Sequence, residues 1–94
     1  MSEATLKARI IRVKFEDGKI GQFYATSPDL KGLLVAELTL EALERAVPQA
    51  IAELYAASGV DVVVTMAEEP KDDLRVWVAF PTEIARRALE LRAS

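Results

Sequence analysis

Phe23-Tyr24-Ala25-Thr26-Ser27-Pro28-Asp29-Leu30-Lys31-Gly32-Leu33, followed by Thr39-Leu40-Glu41-Ala42-Leu43, is the stretch on which the reading of this chain turns. It begins as a strand with Phe23 and Ala25 on one face. It breaks at Ser27-Pro28-Asp29, because Pro28 has no amide to give to a ladder and Asp29 favours a turn. Gly32 permits the tight backbone from which Leu33 to Ala36 set out as a short strand. Thr39 is placed to cap a helix, and Glu41 sits where the helix dipole favours an acid. Leu40, Leu43, Val47, Ala50, Ile51 and Leu54 then recur at helical spacing, with Glu41, Glu44, Arg45, Gln49 and Glu53 on the other faces. This pattern predicts one helix over 39–58. Pro48 removes a backbone bond and is expected to bend that helix without dividing it, and Gly59 is its natural stop.

Upstream, residues 8–16 alternate, with Ile11, Val13 and Phe15 pointing one way and Arg12, Lys14 and Glu16 the other. Asp17-Gly18 is a hairpin signal, and Ile20 to Thr26 is expected to return antiparallel. Downstream, Val60 to Ala67 is rich in β-branched residues and reads as a fourth strand, with Val60, Val62, Val64 and Met66 on one face. Residues 68–73 read as a polar loop. Leu74 to Phe80 reads as a fifth strand that turns Leu74, Val76, Val78 and Phe80 inward and Arg75, Trp77 and Ala79 outward. Pro81-Thr82-Glu83 is expected to open a short helix with Ile84, Ala88 and Leu91 on one stripe. The expected class is α+β, a mostly antiparallel sheet of four or five strands with one long and one short helix, in the order β-β-β-α-β-β-α.

The ordered set from Phe23 to Leu43 resembles the signature of HicB-like domains: aromatic-x-Ala, a Pro/Asp turn ending in Gly, a short strand, and a Thr-capped acidic helix. Lys31 stands where that family commonly has Pro, and Leu38 where it often has a polar residue. The resemblance covers roughly residues 8–66, leaving 74–94 as an extra strand and helix of a single domain over 1–94. It implies a partial RNase H-like fold and the antitoxin half of a toxin–antitoxin pair, in which HicB-type proteins oligomerise and mask a small RNA-cleaving HicA-like toxin. Full antitoxins of this kind often add a C-terminal DNA-binding domain. Here the expectation is the shorter, stand-alone regulatory version.

Composition narrows the chemistry. The chain of 94 residues holds no cysteine and no histidine, so disulfides, Cys/His zinc sites and nucleophiles activated by histidine are excluded. No segment has the apolar core of a signal peptide or the length of a membrane span, and the cytoplasm is the expected compartment. Net charge is −3. Basic residues cluster between Lys7 and Lys19, whereas the acids from Asp29 to Asp73 are opposed only by Lys31, Arg45 and Lys71. An acidic middle suits a basic protein partner better than nucleic acid.

The expected role is therefore a binding module, not an enzyme, with no cofactor and no metal. The contacts to a basic partner are expected from Ser27, Asp29 and Lys31 in the turn and from Glu37, Glu41 and Glu44 near the helix. A homodimer, or a dimer of dimers, is expected to form through Ile10 and Trp77, apolar residues outside the inward set. Two other readings are weighed. An RNase H-like nuclease would need carboxylates such as Asp17, Asp29, Glu37 and Glu41 to converge on two Mg²⁺ ions, although each already has a local reason for its place. A DNA-binding regulator would use the strand and helix from Arg75 onward, with Arg86 and Arg87, but lacks the second helix of a ribbon-helix-helix.

Overall fold

The structure is a computed structural model that describes residues 8–71, 73–84 and 86. Its elements are β1 (Arg9–Asp17), β2 (Phe23–Thr26), β3 (Leu34–Glu37), α1 (Leu40–Ala57), β4 (Val62–Lys71) and β5 (Leu74–Pro81). The strands form one sheet in the order β3-β2-β1-β5-β4, and every neighbouring pair is antiparallel. The fold is α+β, with α1 laid across one face; residues 82–84 are helical. Ala88 and Leu91 of the expected terminal stripe, and Arg87, lie outside the described residues.

Alternation sets the two faces of β1, where Ile11, Val13 and Phe15 are buried between exposed neighbours. Thr39 caps α1 as its position predicts: its backbone is extended and its Oγ1 accepts from the Ala42 amide at 3.0 Å. The helix is continuous through Pro48 and buries Leu43, Val47 and Ile51. These three, with Ile11, Val13, Phe15, Ala25, Leu33, Trp77 and Ala79, make the core, and Phe23 and Leu54 pack against it half-buried. Leu40, at the first turn, is 44% exposed and belongs to the rim of that stripe.

Two glycines have steric reasons to be glycine. Gly32 has φ +93°, in the region where a side chain strains the backbone, so the turn into β3 depends on it. Gly18 lies beneath the Tyr24 ring, and a Cβ there would come within 2.2 Å of it. The Gly18 amide donates to the Gln22 carbonyl at 2.6 Å, so residues 18–22 form the hairpin loop. The return strand accordingly starts at Phe23, not Ile20, and Ile20 is 78% exposed.

The largest correction concerns β5. Its register pairs Ile11 with Trp77 and Val13 with Arg75, so Arg75, Trp77 and Ala79 face the helix while Val76, Val78 and Phe80 face away. Arg75 is accommodated on the inner side by two contacts. Its Nε donates to Glu44 Oε2 of α1 at 2.8 Å, and its guanidinium lies 4.7 Å from the centre of the Phe15 ring. Paired and stacked in this way, the cation can be buried. Phe15 in turn stacks on Trp77 at 6.3 Å between centroids. The second correction is that β4 continues through the expected polar loop to Lys71, with register shifts between Met66 and Glu68 and between Glu68 and Lys71.

Candidate functional site

The six residues expected to contact a partner fall into two groups at opposite ends of β3. Thr26 pairs with Leu34 and Phe23 with Glu37, so the Ser27–Lys31 turn lies at one end and Glu37 at the other, where α1 begins. In the turn, Ser27 and Asp29 are committed to the fold. Ser27 Oγ donates to the Arg12 carbonyl and accepts from the Asp29 amide at 3.0 Å. Asp29 Oδ2 accepts from the Arg12 amide and from Arg12 Nε, both at 2.8 Å, and its Oδ1 from the second guanidinium nitrogen at 2.7 Å. Arg9 also donates to the Asp29 carbonyl.

The Arg12 hydrogen bonds hold the Asp29 carboxyl well below the usual carboxylate range, and the same contact raises the guanidinium pKa. Asp29 is thus a clasp that fastens the turn to β1, a role invisible in a local reading because Arg12 lies far upstream. Glu44 is likewise engaged with Arg75. Lys31 and Glu41 are exposed and Glu37 is half-buried.

The expected dimer residues also separate. Trp77 is 2% exposed within one chain, so the expectation that it lies on the outer face is corrected: β1 register places it under the helix. Ile10 is on the outer face and 63% exposed. It pairs with Val78, which pairs with Thr65, and Phe80 pairs with Val63. Together these residues make an apolar band on the side away from α1. Leu34 and Leu74 are further exposed residues of that side.

A second feature emerges where β1 ends and α1 begins. Phe15, Phe23, Leu40 and Arg75 line a cleft of about 230 Å³ that is edged by the exposed acids Glu16, Asp17 and Asp73. The Phe15 amide donates to the Asp73 carbonyl at 2.7 Å and ties the β4–β5 turn to this end. The sequence holds no local signal for the cleft, since it is assembled from β1, β2, α1 and β5.

The carboxylates weighed for nuclease chemistry do not converge. Asp29 is clasped to Arg12 at one end, while Asp17 and Glu37 lie at the other, each paired with Phe23 on opposite sides. Two strand spacings separate the backbones of Asp17 and Glu37 by roughly 9–10 Å. Among the described residues no group of three or more acidic side chains could hold a metal ion. Among them, too, no helix is long and apolar enough to cross a membrane. Arg86 is exposed beside a cleft lined by Asp61, Thr82 and Glu83. No family model, curated protein or solved structure matches the chain.

Proposed function

We propose that the chain is a stand-alone regulatory binding module of the HicB-like antitoxin kind, acting by protein–protein association and without catalysis of its own. The observation that carries the reading is that, among the described residues, a helix covers one side of the sheet while Ile10, Val63, Leu34 and Leu74 are exposed on the other. A contiguous exposed apolar band is a mark of association surfaces. The outer face would join two copies, as a homodimer or a dimer of dimers. The acidic end of the molecule would meet a small basic partner such as an RNA-cleaving toxin. The resemblance over residues 8–66 supplies the antitoxin part of this reading, and the cytoplasm is the compartment proposed for it.

Co-expression with the product of the neighbouring open reading frame, followed by calorimetric titration and an RNA-cleavage assay, tests it. Stoichiometric binding that suppresses RNA cleavage is expected. A neighbour that neither binds nor cleaves RNA would remove the antitoxin reading. Light scattering at micromolar concentration checks assembly, and a strict monomer would exclude the dimer.

A further inference from the structure

We infer that the cleft between the end of β1 and the start of α1 is a docking pocket for one aromatic or large aliphatic side chain carried on a basic segment of the partner. The inference rests on the protein-binding reading above and assigns that reading a surface and a chemistry.

Size comes first. About 230 Å³ is less than the roughly 300–1,000 Å³ of sites for whole small ligands, yet a cavity of about 150 Å³ already holds benzene. One ring or one branched side chain fits. The floor suits it, because Phe23, half-buried, gives an aromatic surface and Leu40 an aliphatic one that the core leaves 44% exposed, with buried Phe15 beneath them. Leu40 departs from its helical stripe in this respect, since Leu43, Val47 and Ile51 are fully buried. Two more exposed apolar residues, Ile20 and Leu38, flank the same end of the sheet, in the loop before β2 and directly after β3.

Charge selects the kind of segment. Within the floor, the Arg75 cation is met by Glu44 and by the face of Phe15, so it does not set the field at the mouth. Glu16 is partly offset by Lys14 at 3.5 Å. Asp17 and Asp73 remain at the edge, with Glu37 and Glu41 beyond them on β3 and the first turn of α1. The mouth is therefore negative around an apolar floor, which complements lysine or arginine on either side of an inserted side chain. Buried Trp77, the only tryptophan, stacks on Phe15 and provides a built-in optical probe of occupancy.

The test uses a blocked peptide Lys-Arg-Phe-Arg-Lys, its Phe→Ala version and Glu-Glu-Phe-Glu-Glu, titrated into the whole chain. Trp77 fluorescence and amide chemical shifts are recorded. The basic Phe peptide is expected to give a saturable change, with amide shifts centred on Phe15, Phe23, Leu40 and Arg75, while the other two peptides give none. Joint Asp17→Asn and Asp73→Asn changes, both at exposed positions, should weaken it by about three- to tenfold. Shifts centred elsewhere, equal binding by the Phe→Ala peptide, or unchanged affinity in the double variant would overturn the pocket. The two readings fail separately. A neighbouring gene product that binds the double variant as tightly as the parent removes the pocket and keeps the module. Peptide binding in the cleft without any association with that protein does the reverse.

Discussion

β1 presents Ile11, Val13 and Phe15 to the helix and Ile10, Arg12 and Lys14 to the opposite side, so one strand builds two surfaces of different standing. On the inner side, neighbouring strands add Ala25, Trp77 and Ala79, and α1 seals them with Leu43, Val47 and Ile51. On the outer side, Val78, Phe80 and Val63 continue the apolar character of Ile10, but no described element covers them. Strand composition does not separate the faces, since β5 is at least as apolar outward as inward. The helix separates them. A residue's energetic weight in this fold is set by which side of the β1–β5 register it occupies, more than by its own hydrophobicity.

Replacing Ile51 by Ala should cost about 2–5 kcal/mol, the range for emptying a packed site, while Ile10→Ala should change chain stability by less than about 0.5 kcal/mol. Urea denaturation of both variants, at protein concentrations low enough to keep the chain monomeric, checks the contrast. An Ile10→Ala penalty in the monomer approaching that of Ile51→Ala would break it, because Ile10 would then be packed within its own chain. The next effect sits where charge enters the inner side. Arg75→Gln removes the bond to Glu44 and the stack on Phe15, and roughly 1–3 kcal/mol should be lost. A cycle with Glu44→Gln should return a coupling of at least about 0.5 kcal/mol; additivity would mean that Arg75 is buried for its packing alone.

Smallest is the clasp on the outer edge. Because the folded pKa of Asp29 is depressed, its contribution is fully present above the unfolded value of about 3.9 and is lost as pH falls through the folded value. Asp29→Asn should therefore lower the melting temperature by a few degrees at neutral pH. The gap to the parent should close as the solution is acidified below about pH 4. A gap that widens in acid would mean that the clasp does not form.

Several of these features were legible in the chain and others were not. Thr39 as a cap, the unbroken helix through Pro48, the alternation of β1 and the Gly32 turn are local, and each was readable from neighbours in sequence. The orientation of β5 was not. Both of its parities are apolar apart from Arg75, and an arginine is ordinarily turned to water. Only the distant pairing with Phe15 and Glu44 reverses that preference. The acidic run after Ala67 reads as a loop until pairing with β5 carries the strand through it. Asp29 looked available to a partner because Arg12, which occupies it, lies on another element. The cleft was unreadable for the same reason, its floor coming from four elements.

The position of β1 in the middle of the sheet has a consequence for synthesis. Its partner on one side, β2, is joined by a short hairpin, but its partner on the other, β5, is the last of the described strands to be made. At roughly 5–20 residues per second, a ribosome leaves several seconds between the emergence of the two. Throughout that interval one edge of β1 has no ladder, and Ile11 and Val13 lack their cross-strand neighbours Trp77 and Arg75. Closure of that long loop is the step of highest contact order and should limit the folding rate. The nascent chain is thus most adhesive just before β5 appears, which is when a second copy or a chaperone would find it easiest to hold.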